Sequence, residues 1–294
     1  MNNFINKEQA ADKSYILKVL QSAKLPFVVS DISNFEVLTG GSRSVAVRID
    51  EYIIRFPRNE EVFENQKREA LISQMLNRHL SVDFKNKITN VKIADGFAYH
   101  KMLKGRIFDK SITLSKTQED NLAYDIAEFL NDLHRISITK IADIDKTTIP
   151  RADNWNFTGD SEWNYETAKS LLQTHHIDLD EFKMGFNDRD RVICHNDLSG
   201  SNVLLNNEQL RPLQAVIDFG NVAVMPRSNE FVPFYKISRR LALKIMNFYN
   251  QISPDKVNVT EVDYKALSFI GKVLIASQNK ESYFSRLMIE NFKN

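Results

Sequence analysis

Two kinds of hydrophobic pattern divide the chain. Short runs of β-branched and aromatic residues recur in the first third, at Phe35–Leu38, Ser44–Ile49, Tyr52–Phe56, Asn90–Ala94 and Phe97–Leu103. The first three are separated by Thr39-Gly-Gly-Ser42 and Asp50-Glu51, the punctuation of a β-meander. Amphipathic segments at Lys7–Ala23 and Glu61–Arg78 predict helices beside these strands. Lys104-Gly105 is a natural break, after which the pattern becomes helical. Ile126, Phe129, Leu130, Leu133 and Ile136 fall at offsets 0, 3, 4, 7 and 10, one face of a helix, with His134 beside the stripe as a packing or capping residue. Ser161–Thr174, Leu179–Phe186, Phe231–Tyr249, Val262–Ala276 and Ser282–Phe292 also read as helical, Pro150–Phe157 as a loop and Pro226 as a turn. Arg191–Cys194, Val203–Leu205 and Leu213–Ile217 read as short strands. The expected fold is α+β and bilobal: an N-terminal five-stranded antiparallel sheet with helices over 1–103, and a mainly helical lobe over 104–294.

Periodicity also pairs two charges. Alternation along Tyr52–Phe56 puts Ile53 and Arg55 on one face, Ile54 and Phe56 on the other, so Arg55 points where an apolar residue points. Ile72 and Leu76 follow Glu69 at helical spacing, which places its carboxylate on the same face as those apolar residues. Such a carboxylate is costly unless a cation meets it. Pairing Arg55 with Glu69 satisfies both patterns and would hold the guanidinium for nucleotide phosphates. The turn containing Gly40, Gly41 and Ser42 suits either a plain hairpin or a backbone cover for phosphate oxygens.

The polar loops between the later strands carry the chemistry. His195-Asn196-Asp197 is followed by Asn202 five residues after the aspartate, and Asp218-Phe219-Gly220 follows an apolar run. This is the spacing of the kinase catalytic loop and metal-binding loop. Asp197 can take the proton of an acceptor hydroxyl, while Asn202 and Asp218 offer hard oxygen ligands to Mg2+ on the phosphates of ATP or GTP. Either motif alone would pass for an ordinary turn, since turns use the same residue types. The two together, each entered from a strand, point to phosphoryl transfer. Tyr99, Lys101 and Leu103 lie where the chain crosses between the expected lobes, a stretch whose backbone groups would hold the base.

Charge and cysteine usage narrow the setting. With 39 Lys and Arg against 38 Asp and Glu, no global field points to nucleic acid or an acidic membrane. The local balance is uneven: 16 acidic against 7 basic residues over 119–190, and 6 against 11 over 221–294. The single cysteine, Cys194, fits a reducing compartment and reads as a small buried hydrophobe. No apolar span of membrane length is present, so a cytoplasmic protein is expected, as monomer or homodimer.

The order of these features resembles the eukaryotic-like kinase superfamily and, more closely, the aminoglycoside phosphotransferases, most of all the 2''-phosphotransferases. The likeness rests on Ile54-Arg-Phe-Pro-Arg58, His100-Lys-Met-Leu-Lys-Gly105, Ala127–Ile136, Cys194-His-Asn-Asp-Leu-Ser199 and Ile217-Asp-Phe-Gly220. It implies Asp197 as the group that orients or deprotonates the acceptor, His195 as a brace of the loop, and Asn202 and Asp218 as magnesium ligands. Arg55, supported by Glu69, would contact the nucleotide phosphates under the Gly40-Gly41-Ser42 turn. The implied acceptor is a hydroxyl of an aminoglycoside, with Asn221 and Glu230 on its side of the site. Two residues depart from the family pattern: Arg55 stands where many relatives have lysine, and Asn221 where they often have aspartate. A kinase of a sugar, amino alcohol or homoserine-like compound is the alternative within the fold, and a silent nucleotide-binding module the alternative outside catalysis.

Overall fold

The computed structural model describes residues 12–23, 25, 35–38, 44–109, 111–141, 165–182, 190–276 and 283–293. The chain groups into two compact units, Met1–Lys104 with Ile217–Gly220, and Gly105–Val216 with Asn221–Asn294.

The first unit is built on the five expected strands: β1 (Phe35–Leu38), β2 (Ser44–Ile49), β3 (Tyr52–Pro57), β4 (Lys92–Ala94) and β5 (Phe97–Lys101). They pair antiparallel in the order β1-β2-β3-β5-β4. The period-two alternation sorts side chains onto two faces. Val45, Val47 and Ile49 of β2, Ile54 and Phe56 of β3, and Phe97 and Tyr99 of β5 form one core with Ile16 and Leu20 of helix α1 (Lys13–Ser22). Burying Ile16 and Leu20 contributes about 2 kcal/mol each, and Asp12 starts the helix by accepting from the backbone N–H groups of Ser14 and Tyr15. The opposite face carries Ala98, packed with Ala70 and Val91. Ala70 belongs to α2 (Glu60–His79), whose N-terminus is capped by Asn59. Acids in its first turn and Arg78 and His79 in its last suit the helix dipole. β5 ends at Lys101, two residues short of the expected Leu103, and Met102 N then donates to Glu51 O at 2.6 Å. A further single turn, α3 (Val82–Lys85), had no clear signal in the pattern.

The second unit packs α4 (Lys116–His134) against α6 (Arg239–Ile252), and α5 (Tyr165–Gln173) against α7 (Val259–Ala276). α8 (Tyr283–Lys293) closes the chain. α4 begins ten residues before the apolar stripe first seen at Ile126, because Ser115 and Gln118 form a reciprocal capping box that supports a polar first turn. Two small antiparallel sheets position the loops: β7 (Arg191–Cys194) with β10 (Ala223–Pro226), and β6 (Arg106–Ile107), β8 (Val203–Leu205) and β9 (Leu213–Val216) in the order β6-β8-β9. β10 takes the place of the expected turn, with Pro226 at the end of the pairing opposite Arg191, where a proline costs no ladder bond. The expected helix over Phe231–Tyr249 is two elements. A 3-10 segment runs from Arg227 to Lys236 and contains Pro233; Ser238 then caps α6 through Leu241 N. Leu179–Phe182 is likewise a 3-10 turn in place of the start of a helix. The Gly40-Gly41-Ser42 turn, the Pro150–Phe157 loop and residues 183–186 lie outside the described residues. Among the described residues no helix is long and apolar enough to cross a membrane.

Candidate active site

In the first unit, β3 and α2 bring Arg55 and Glu69 together as their patterns predict, Arg55 Nη2 lying 2.6 Å from Glu69 Oε2. Glu69 is buried on α2, and burial pushes its carboxyl up although Arg55 opposes the rise and nearby Asp218 adds to it. Arg55 is fixed along its backbone as well, since its carbonyl accepts from Gln66 Nε2 at 3.2 Å. Its buried Nε has no hydrogen-bond partner, leaving donor capacity beside the pair. His100, on the same face of β5, is held neutral: loss of water and the charge of Arg55 lower its pKa to about 4. Arg68, one residue before Glu69, donates to Gly220 O and so ties α2 to the Asp218-Phe219-Gly220 loop. Asp218 is exposed and its φ of 64° is left-handed, a conformation that aspartate tolerates better than most residues. Tyr99 is in the sheet core, opposite Ile54 on one side and Lys92 on the other, so its side chain packs. Lys101 makes an exposed pair with Glu51. Leu103 lies beyond the end of β5, outside the ladder.

In the second unit, the loop after β7 turns through Asn196, whose φ is 66°. This left-handed residue aims successive backbone N–H groups inward. His195 N and Asn196 N both donate to Glu230, at 2.5 and 3.3 Å. Glu230 is completely buried at the middle of the 3-10 segment. Burial pushes its carboxyl up to about 8, against the two backbone donors and the Cys194 thiol, with the charge of Asp197 adding to the rise. This corrects the expected place of Glu230 on the acceptor side: its carboxylate is consumed in holding the loop. His195 is also fully buried, and its Nδ1 accepts from Asp197 N at 3.4 Å. Around them, Arg227 makes a two-pronged bond to Asp190 and donates to Tyr249 Oη, which also meets His134 Nδ1 at 2.9 Å. Burial and the charge of Arg227 keep His134 neutral. Burial likewise keeps Cys194 a thiol, as its apolar setting predicts.

Asp197 emerges partly exposed from this frame. Asn202 Nδ2 donates to its backbone oxygen at 2.8 Å and reaches its Oδ2 at 3.3 Å, fixing the carboxylate within its own loop. Both of these side-chain hydrogen bonds use Nδ2, which leaves Asn202 Oδ1 as the atom to offer a hard cation. Gly200, between them, sits so close to Phe108 that an added Cβ would lie 2.3 Å from the Phe108 carbonyl oxygen. The remaining oxygen of Asp197, Oδ1, receives Lys236 Nζ at 3.2 Å. Sequence reasoning missed Lys236, Gly200 and Arg68. The basic excess after 221 was the signal that bore on Lys236. Asn221 is exposed, and its carbonyl accepts from Asn196 Nδ2 at 3.3 Å.

A pocket of about 720 Å3 opens beside this loop within the second unit. Ser199, Gly200 and Ser201 form one wall, Phe108, Ile112, Ile237 and Leu287 the apolar remainder, and Lys236 faces it from the Asp197 side.

A family model described as a phosphotransferase enzyme family matches residues 25–250. Several solved structures are similar. One is the GDP and kanamycin complex of APH(2")-IIia, with a TM-score of 0.69 and 18% identity over 95% of this chain and 97% of that one. Another is the streptomycin and ATP ternary complex of APH(2")-IIa, with a TM-score of 0.61 and 21% identity over 97% and 98%. A macrolide 2'-phosphotransferase type I gives 0.60 and 15% over 98% of both chains. At these identities the shared property is the bilobal, protein-kinase-like α+β fold.

Proposed function

The chain belongs to the phosphotransferase enzyme family, and we propose that it moves the γ-phosphoryl group of ATP or GTP to a hydroxyl of a small polar acceptor. The observation that carries this is Asp197: a carboxylate clamped by Asn202 within its own loop, on a backbone braced by a buried glutamate, beside a pocket large enough for a small molecule. Phosphoryl transfer asks a protein mainly for position and charge neutralisation. In this reading Asp197 accepts the proton of the attacking hydroxyl as the new O–P bond forms and the nucleoside diphosphate leaves. Arg55, held by Glu69, contacts the phosphates. The hairpin β8-β9 starts and ends at one edge, Val203 opposite Val216, with Asn202 one residue before it and Asp218 two residues after it. An amide oxygen and a carboxylate are the donor set that magnesium favours, so Asn202 and Asp218 are the residues that would hold the ion, which would neutralise phosphate charge.

The motif resemblance supports an aminoglycoside as acceptor, and similar structures include complexes with kanamycin, gentamicin and streptomycin. One observation favours a second reading, an acceptor with less positive charge: Lys236, not a carboxylate, stands at Asp197. A macrolide 2'-phosphotransferase among the similar structures shows that the fold is not confined to one acceptor class. The test is turnover of ATP and of GTP with Mg2+ and a panel of hydroxyl acceptors, run on the native chain and on Asp197→Ala. Acceptor-dependent turnover that is lost in the variant is expected; an undiminished rate in the variant would sink this reading.

A further inference from the structure

Lys236 occupies a position that bears on the acceptor more directly than on the fold. Its ammonium is 3.2 Å from Asp197 Oδ1, the oxygen that Asn202 does not reach, and it faces the pocket together with Ser199 and Ser201. It is pinned there from behind. The Lys236 carbonyl accepts from Asn291 Nδ2 at 2.9 Å, and the preceding Tyr235 is fully buried with its hydroxyl bonded to Asp263 at 2.5 Å. Nζ also lies 6.0 Å from the centre of the Phe269 ring. The side chain is about a quarter exposed, so its charge is only partly screened by water.

We infer that Lys236 is a specificity-determining residue that makes this pocket select an acidic or uncharged hydroxyl compound over a polyamine. The inference rests on the phosphotransferase reading above and deepens it. A hydroxyl that reaches Asp197 must arrive next to the Lys236 ammonium. An acceptor rich in ammonium groups then meets like charge where a polycation site would place carboxylates, and the negative charge of Asp197 is already shared with Lys236. Among the residues that line the pocket the carboxylate is Asp109, which accepts from the Ser111 N–H at 2.8 Å and from the Ser111 hydroxyl. An acidic group or a sugar oxygen beside the reacting hydroxyl instead finds the donors that Lys236 does not spend on Asp197, since an ammonium has three. The Ser199 and Ser201 hydroxyls, 2.9 Å apart, add polar partners on the adjoining wall.

The test compares kanamycin with glucuronate, a sugar of similar ring size that carries a carboxylate in place of amines. Each is titrated calorimetrically into native protein loaded with Mg2+ and a non-hydrolysable ATP or GTP analogue, then into Lys236→Glu and Lys236→Met. Native protein should bind glucuronate at least tenfold more tightly than kanamycin. Lys236→Met should erase that preference, and Lys236→Glu should reverse it, with thermal midpoints within a few degrees of native for both. Kanamycin affinities equal within twofold in all three proteins would overturn the inference and leave the phosphotransferase reading standing. Failure of both nucleotide analogues to bind native protein would overturn the phosphotransferase reading, and this inference with it. The two failures are therefore read from different titrations.

Discussion

Arg55–Glu69 in the first unit and Lys236–Asp197 in the second are both cation–carboxylate pairs, yet they are built to opposite designs. In the first, the carboxylate is the buried member, with Glu69 at 6% side-chain exposure and Arg55 at 20%. In the second, both members are partly exposed, Lys236 at 24% and Asp197 at 30%. A buried carboxylate cannot do without its cation, so the first pair is an anchor whose use lies in presenting a guanidinium. The second pair can exchange its partner for a ligand at smaller cost, because both members keep contact with water and neither is left unsolvated when the pair opens. The same two kinds of charge thus serve permanence in one unit and exchange in the other.

The largest expected effect comes from removing the exchangeable carboxylate. Asp197→Ala should lower the turnover number about a thousandfold, the range of a positioned proton acceptor, and leave the thermal midpoint nearly unchanged. Steady-state kinetics with calorimetric melting checks both halves. A variant that loses activity because it melts early would place Asp197 with the anchors and erase the distinction between the pairs.

Removing the cation of each pair sharpens the contrast. Arg55→Met leaves Glu69 buried without a partner and should lose about 3 kcal/mol of stability. Lys236→Met uncovers a carboxylate that water already reaches and should lose less than about 1 kcal/mol. Chemical denaturation of the two variants measures the difference directly. Equal losses would mean that Lys236 is as structural as Arg55.

The two pairs also differ in how far the sequence disclosed them. Arg55 and Glu69 sit fourteen residues apart, each inside a single regular element, so a period of two on β3 and of 3.6 on α2 was enough to match them. Asp197, Asn202 and Asp218 were visible for a related reason, since a tight loop fixes their spacing along the chain. Lys236 lies 39 residues beyond Asp197 and arrives through a 3-10 segment whose apolar content read as ordinary helix. Pro233 and Ser238 were the available signals that this stretch breaks in two. Glu230 was misplaced because charge counting registers a residue's sign and not its depth. What demands a carboxylate there is the left-handed Asn196, which turns backbone donors inward, and no periodicity reports that demand. Arg68 follows the same logic, its partner being a backbone carbonyl in a loop 152 residues away.

The loop that carries Asp197 offers a smaller but steric test. At Gly200 an alanine Cβ would lie 2.3 Å from the Phe108 carbonyl oxygen, and a backbone atom has little room to move aside. Gly200→Ala should lose about 2 kcal/mol through this overpacking and displace Asn202, which begins two residues on. Turnover should therefore fall by more than the loss of stability explains, in contrast to Arg55→Met, whose main effect is on stability and nucleotide affinity. Melting and kinetics on the two variants separate the cases.

The mildest effect is a pH dependence seated in the brace beneath Asp197. Folding raises the Glu230 carboxyl from its ordinary value of 4.5 to about 8, so between these values the folded state binds more protons than the unfolded one. Stability from this group is fully present below pH 4.5 and is lost as pH rises toward 8. His134 and His100 run the other way: both are kept neutral by the fold, so they favour folding increasingly up to the ordinary histidine value of 6.5 and add nothing further above it. Below pH 6.5 the opposing slopes offset one another. Between pH 6.5 and 8 the Glu230 slope stands without that opposition, and the thermal midpoint should fall by a few degrees, with Glu230→Gln flattening that limb. The amide keeps one acceptor oxygen for the N–H groups of His195 and Asn196, so the loop should stay in place and the rate at pH 8 should change far less than in Asp197→Ala. A midpoint that falls just as steeply in Glu230→Gln would assign the limb to another group and leave Glu230 as a brace without a proton.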